Sequence, residues 1–94
     1  MYAVVGVWDM DVTQAERQRQ LLLAHIVPGV RNAPGLIKGY WAGAAGQRSY
    51  TFIVFENEVS AQDFAASVRS NEPAQTESGV GAMELIVVPI AAQT

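Results

Sequence analysis

Few residues in this sequence are of a type that performs chemistry, and they do not form a complete catalytic pattern. His25 is the single histidine, and imidazole is the side chain best suited to proton transfer near neutral pH, so His25 is the candidate general base. The alternative is a histidine on a helix surface or helix end that hydrogen-bonds a backbone carbonyl. The chain has no cysteine, which excludes disulfides, thiolate nucleophiles and zinc–cysteine sites. We therefore predict no metal site.

Aromatic residues in the predicted strands are the candidates for binding a flat ligand. Tyr40 and Trp41 are neighbours in the second strand, so they point to opposite faces of the sheet, and the sequence leaves open which one faces the helices. Thr51, Phe55 and Phe64 are expected under the helices, where they either line an apolar pocket or fill it. Aromatic side chains in sheets belong to the core more often than to binding sites.

The strands that carry these residues are predicted from apolar and β-branched runs over residues 2–8, 36–42, 50–55 and 83–90. A capping box from Thr13 to Glu16 is expected to begin the first helix, whose apolar residues recur at helical spacing. Pro28 is expected to kink this helix because it has no N–H and its ring crowds a preceding carbonyl. A second helix is predicted from residue 58, a turn over residues 43–46, and a loop over residues 71–81.

The resulting order, β-α-β-β-α-β, predicts one ferredoxin-like α+β domain over residues 1–94, with a four-stranded antiparallel sheet and both helices on one face. Both faces of the sheet carry apolar residues. Along the third strand, Tyr50, Phe52 and Val54 point to one face, whereas Thr51, Ile53 and Phe55 point to the other. The face away from the helices therefore needs a cover, which is either a second subunit or stacked nucleic-acid bases.

The charge of the chain favours one of these two covers over the other. Residues 48–55 partly fit an RNA-recognition signature, but the six basic residues are scattered and the net charge is −3. RNA binding draws much of its affinity from phosphate neutralisation, so we predict a second subunit and no nucleic-acid partner. No apolar run approaches the ~20 residues of a membrane span, and no secretory signal is recognisable. We expect a cytoplasmic protein without a membrane partner.

Three stretches of the sequence resemble the dimeric α/β-barrel superfamily, in particular the antibiotic-biosynthesis monooxygenases. They are the Pro-Gly turn in Asn32–Ile37, the strand-to-helix stretch Phe52–Phe64 and the final apolar strand. The resemblance implies a homodimer in which two sheets pack face to face into a barrel. It also implies a pocket in each subunit, between sheet and helices, for a small aromatic or polyketide-like molecule.

The catalytic residues of these families are not intact here. Members that oxidise polycyclic phenols without metal, flavin or other cofactor resemble one another in an Asn and a Trp four residues apart on the third strand, where this chain has Thr51 and Phe55. Haem-degrading members use an Asn, Trp and His set, but His25 lies on the first helix rather than the second. A mechanism cannot be carried over residue by residue, but the resemblance still implies a cofactor-independent monooxygenase-like protein. If the protein is an enzyme, His25 is its candidate base because of its residue type. The alternative is a non-catalytic small-ligand-binding or stress-response dimer of the same fold.

Overall fold

Four antiparallel strands form one sheet in the computed structural model, which describes residues 1–43 and 47–94. In chain order the strands are β1 (Tyr2–Met10), β2 (Leu36–Gly43), β3 (Arg48–Phe55) and β4 (Val80–Pro89). Their spatial order is β2-β3-β1-β4, with antiparallel pairing throughout. The predicted α+β ferredoxin-like class is therefore confirmed. Most of the predicted turn at 43–46 lies outside the described residues.

The helices lie between β1 and β2 and between β3 and β4. The first connection holds a 3₁₀ turn (Val12–Gln14), α1 (Ala15–Leu21), a π-helical segment (Leu22–Ile26) and α2 (Val27–Arg31), and the second holds α3 (Glu58–Ser70) and α4 (Glu72–Glu77). The prediction of a loop over residues 71–81 was wrong, because α4 occupies its centre. The side chain of Gln75 donates to the Val68 carbonyl oxygen at 2.9 Å and attaches α4 to α3.

Asp11, rather than Thr13, caps the first helical connection. The Asp11 carboxylate accepts from the Thr13 amide at 3.0 Å and from the Thr13 hydroxyl at 2.7 Å. The predicted capping box is therefore wrong, since Thr13 lies inside the 3₁₀ turn that Asp11 caps rather than at its N-cap. The residue before α1, Gln14, makes no side-chain capping bond.

Pro28 is accommodated by a change of helix type. The amide of Val27 bonds the Leu22 carbonyl, five residues earlier, and closes the π-helical segment immediately before the proline. Pro28 then stands in the first turn of α2, where its missing N–H is tolerated. The break expected at Pro28 thus takes the form of a π turn.

The core lies between the sheet and α3. Its buried residues come from strands and helices: Val4, Ile53, Phe55, Val30, Ala61 and Ala65. α3 begins at an effective cap, since the Asn57 side chain accepts from the Ser60 amide at 2.9 Å. The two alanines are fully buried, and their small side chains let α3 approach the sheet closely.

The opposite face of the sheet carries large apolar side chains without cover in the single chain. Tyr40, Tyr50, Phe52 and Ile86 are 55%, 44%, 43% and 40% exposed. They form one patch, because Tyr40 pairs with Phe52 across β2 and β3, and Phe52 shares the Val5 row with Ile86. We call this patch the open sheet face.

No helix in residues 1–43 or 47–94 has the length and apolar character to cross a bilayer.

Candidate functional site

Two tryptophans lie against glycines of their own strands on the helix side of the sheet. A Cβ placed on Gly6 would stand 2.6 Å from Nε1 of Trp8, and one placed on Gly39 would stand 3.2 Å from Cη2 of Trp41. In both strands the glycine is two residues before the tryptophan, so both residues face the same side. The absence of a side chain at each glycine gives the following indole room to lie along its strand.

Thr51 on β3 lies between the two tryptophans. It pairs with Gly6 of β1 on one side and with Trp41 of β2 on the other. The indole N–H of Trp8 donates to the Thr51 hydroxyl oxygen at 3.2 Å. We call Trp8, Thr51 and Trp41 the indole–threonine cluster. It combines two flat apolar rings with one hydroxyl, a composition suited to a planar molecule that carries an oxygen.

The cover over this cluster is incomplete. α3 packs on β1, β3 and β4, whereas β2 is contacted by α2. No residue of α1 or of the π-helical segment is buried, whereas α3 buries two alanines. Trp41 and Thr51 remain half-buried, although Trp8 is only 8% exposed. The two half-buried side chains are therefore within reach of solvent and of a small molecule.

The structure assigns the two neighbouring aromatics of β2 to opposite faces. Trp41 packs against the core on the helix side. Tyr40 lies on the open sheet face, where the Lys38 ammonium stands 5.9 Å from its ring centre. Tyr40 is therefore outside the space between sheet and helices, because successive side chains of a strand alternate between faces.

Phe55 and Phe64 fill the space under α3. Phe55 is fully buried, and its ring centre lies 5.1 Å from that of half-buried Phe64. Phe55 thus belongs to the packed core. For this residue the structure agrees with the second of the two expectations, in which the side chain fills the interior rather than lines a pocket.

His25 lies apart from these residues, on the exposed side of the π-helical segment. It takes part in none of the ion pairs described for the chain. Within the described ranges no three His, Asp or Glu side chains are grouped as metal ligands.

Two shallow grooves open on the surface, and the first of them reaches the indole–threonine cluster at Trp8. One, of about 320 Å³, runs between β4 and the helices α3 and α4, and the Trp8 indole forms part of its wall. The Arg69 guanidinium spans α3 and β4 here by donating to the Leu85 carbonyl at 3.3 Å. The other, of about 390 Å³, lies at the sheet end near Asp11 and Gly79. Neither groove is lined by Trp41, Thr51, Phe55 or Phe64.

Sequence reasoning missed Trp8. The available signal was a repeated spacing, since Gly6-Val7-Trp8 in β1 recurs as Gly39-Tyr40-Trp41 in β2. A glycine two residues before a tryptophan in a strand indicates a ring that lies over the backbone. The bond to Thr51, which is 43 positions away in sequence, depends on strand pairing that no local pattern reveals.

Known structures share this fold over nearly the whole chain. A Deinococcus radiodurans protein assigned to the antibiotic biosynthesis monooxygenases is 16% identical, with a TM-score of 0.81 over 100% of this chain and 96% of its own. The ActVA-Orf6 monooxygenase of Streptomyces coelicolor, solved with nanaomycin D, is 19% identical, with a TM-score of 0.67 over 99% and 90%. The haem degrader MhuD of Mycobacterium tuberculosis, solved with two haems in its active site, is 14% identical, with a TM-score of 0.73 over 100% and 99%.

No family model and no curated protein matches the sequence. The likeness to these solved structures confirms the resemblance to the monooxygenase-like proteins at the level of the fold. At these identities the likeness does not by itself carry an activity.

Proposed function

We propose that this chain is a homodimeric, cytoplasmic, monooxygenase-like protein that binds a small aromatic or polyketide-like molecule between residues 15–31 and the sheet. The observation that supports this proposal best is the indole–threonine cluster on the helix side of the sheet, where Trp41 and Thr51 remain half-buried. Two indoles offer flat apolar surface, and one hydroxyl offers a directional contact. Sites for small molecules combine these features.

The open sheet face supports the homodimer. A monomeric protein rarely leaves a contiguous patch of aromatic and aliphatic side chains in water. Four large apolar residues of this face are each at least 40% exposed in the single chain. A second copy presents the same patch, so face-to-face packing of two sheets would cover both at once.

The proposed reaction is oxygenation of a phenol or enol without a cofactor. His25 would take the proton from the substrate, and the resulting carbanion would pass electrons to dioxygen. One oxygen atom would enter the substrate as a new carbonyl and the other would leave as water, so dioxygen is the sole oxidant and no reductant is consumed. Anthrone, which becomes anthraquinone and water, is a convenient probe.

A non-catalytic ligand-binding dimer is the second candidate, and the structure contains an observation in its favour. Phenol-oxidising members of the resembled family place an Asn and a Trp where this chain has Thr51 and Phe55. Phe55 is fully buried, so it has no surface to offer a substrate. Exposed His25 also has none of the described carboxylates as an ion-pair partner.

Native mass spectrometry of the purified protein tests binding and assembly together. A dimer that carries additional small-molecule mass supports the proposal, and a monomer contradicts the homodimer. Oxygen uptake with anthrone, corrected for the spontaneous reaction, then separates the two candidates. Uptake that falls in His25→Ala but not in the control Arg19→Ala supports catalysis by His25. Uptake equal to the spontaneous rate favours the non-catalytic protein.

A further inference from the structure

We infer that a second copy of this chain packs on the open sheet face with its strands nearly perpendicular, and that two ion pairs fix this orientation. Each pair joins Lys38 of one subunit to Glu84 of the partner subunit. The inference rests on the homodimer of the proposed function and adds the contacts by which two copies recognise each other.

Strand pairing arranges the open sheet face and its margins in three rows. Paired residues of neighbouring strands, and residues two apart in one strand, share a face. Read from β4 to β2, the rows are Glu84-Val7-Tyr50-Ala42, Ile86-Val5-Phe52-Tyr40 and Val88-Ala3-Val54-Lys38. Every residue of these rows is aromatic or aliphatic except Glu84 and Lys38.

Lys38 and Glu84 occupy opposite corners of this surface. Lys38 is on the edge strand β2 in the row of Ala3, and Glu84 is on the edge strand β4 in the row of Val7. Both residues are exposed, and the Lys38 ammonium lies over the patch, 5.9 Å from the Tyr40 ring centre. Neither residue takes part in an ion pair within the described part of the chain. Each copy therefore presents one positive and one negative charge at the two ends of a diagonal.

The irregularity of β4 leaves Glu84 in its row. The register shift falls just beyond Val7, and the residue that it leaves unpaired is Met83. Because β4 is an edge strand, Glu84 also borders the groove beside α4. The Arg48 guanidinium, at the start of β3 on the same face, contacts the Met83 sulfur of its own subunit. Of the two basic residues on this face, Lys38 is therefore the one that can reach a second copy.

A single two-fold axis brings both ion pairs together. Two identical chains that pack face to face are related by a two-fold axis in the plane of their interface. Successive rows are about 7 Å apart and neighbouring strands about 4.8 Å apart, so the surface measures about 14 Å along each side. An axis along the diagonal from Ala42 to Val88 places Lys38 opposite Glu84 of the partner subunit, and symmetry forms the reverse pair. Because this diagonal is inclined by about 45° to the strands, the strands of the two sheets cross at about 90°, the orthogonal class of sheet packing.

The other axes along the sides and diagonals of this surface leave the charges without opposite partners. An axis along the diagonal from Lys38 to Glu84 brings each charge against its own copy, and like charges in contact oppose association. An axis parallel or perpendicular to the strands places both charges against Ala42 and Val88 of the partner subunit, where a charge loses water without gaining a partner. The two charges thus select one orientation of an otherwise apolar interface.

Charge reversal tests the pairing. We expect Lys38→Glu and Glu84→Lys each to raise the dissociation constant of the dimer by about 10-fold in low salt, because both ion pairs become contacts between like charges. The double variant Lys38→Glu/Glu84→Lys restores opposite charges and should return the constant to the wild-type value. The controls Arg19→Glu and Asp63→Lys change the net charge equally on exposed helix surfaces and should shift the constant by about 2-fold or less. Analytical ultracentrifugation over a range of concentrations measures all of these constants.

Mixing the two single variants gives a readout that does not require the absolute affinity. A heterodimer of Lys38→Glu with Glu84→Lys has opposite charges in both pairs, whereas each homodimer has like charges. With a heavy-nitrogen label on one variant, native mass spectrometry should find the heterodimer in clear excess over random exchange. Random proportions would contradict the pairing.

Chemical cross-linking tests the orientation directly, and the absence of native cysteine makes each introduced thiol unique. A mixture of Lys38→Cys and Glu84→Cys should be joined by a short bismaleimide, whereas neither variant alone should be joined to itself. Self-joining of Lys38→Cys would show that each corner meets its own copy, and it would overturn the inference.

Two outcomes separate a failure of this inference from a failure of the proposed homodimer. If wild-type protein is a dimer and both single reversals leave its dissociation constant unchanged, the charges do not direct the interface, and the homodimer stands without them. If wild-type protein is monomeric at all concentrations measured, the homodimer fails and the inference fails with it.

Discussion

The ring of Phe55 on β3 and the ring of Phe64 on α3 lie 5.1 Å apart between centres, with their planes inclined by 39°. This pair joins the sheet to the helix that covers it most completely. Phe55 is fully buried and packs in the core cluster with Ala61 and Ala65. The contact between the two rings therefore helps to hold α3 against the sheet.

Replacing Phe55 by Ala should lower the free energy of unfolding by about 3–5 kcal/mol, because it leaves a large cavity in the core. Urea unfolding at a fixed protein concentration measures this loss. The control Val59→Ala truncates a residue of α3 that is 70% exposed, and it should change the free energy by about 0.5 kcal/mol or less. A comparable loss in both variants would contradict the description of the core.

Gly6→Ala should break the Trp8–Thr51 hydrogen bond, because the new methyl group would stand 2.6 Å from both bonding atoms. The overpacking should cost about 1–3 kcal/mol and shift the Trp8 indole N–H resonance. Gly81→Ala is the matched control in a neighbouring strand, since no atom lies within 4 Å of its added Cβ. An unchanged indole resonance in Gly6→Ala would show that the tryptophan does not lie over this glycine.

Phe52→Glu should separate the proposed dimer into monomers. The substitution places a charge in the centre of the open sheet face, where Phe52 is 43% exposed in the single chain. Burial of two such charges at a face-to-face interface is unfavourable. Analytical ultracentrifugation over a range of concentrations measures the change, and Val59→Glu supplies a control with the same charge on α3. Dimers of unchanged strength in Phe52→Glu would mean that another surface forms the interface.

Asp11 should stabilise the fold above its titration range and cease to do so in acid. Hydrogen bonds from the hydroxyl and amide of Thr13 hold the pKa of the Asp11 carboxyl below its ordinary value of 3.8. A group whose pKa is lower in the folded state stabilises at higher pH, and this contribution is lost as pH falls through the folded pKa.

Asp11→Asn should therefore unfold at a lower temperature than wild type at neutral pH, and the difference should shrink as pH falls below 3.8. Thermal unfolding followed by circular dichroism across this range measures the difference. Asp63→Asn, on the exposed side of α3, makes the same change in charge and should show a difference that varies less with pH. Identical pH profiles for the two variants would contradict the capping role of Asp11.

The sequence carried enough information for the fold because the relevant signals were local. Apolar runs and the spacing around Phe64 predict the strands and α3, and strand alternation predicts that Tyr40 and Trp41 separate. The cap at Asp11 and the short helix α4 were missed because neighbouring residues compete for the same polar groups and short helices give weak periodicity. The indole–threonine cluster was missed because it depends on the register between β1 and β3.

The π turn before Pro28 divides the first helical connection into two parts whose side chains point in different directions around the helix axis. A five-residue turn contains about one residue more than an α-helical turn, so residues on its two sides are offset by about 100°. Val30, beyond the turn, is anchored in the core, whereas residues 15–26 bury no side chain. Substitutions ahead of the turn can therefore change this exposed helical surface while Val30 stays in place in the core. A fold divided in this way can vary the surface of its first helix without repacking its core.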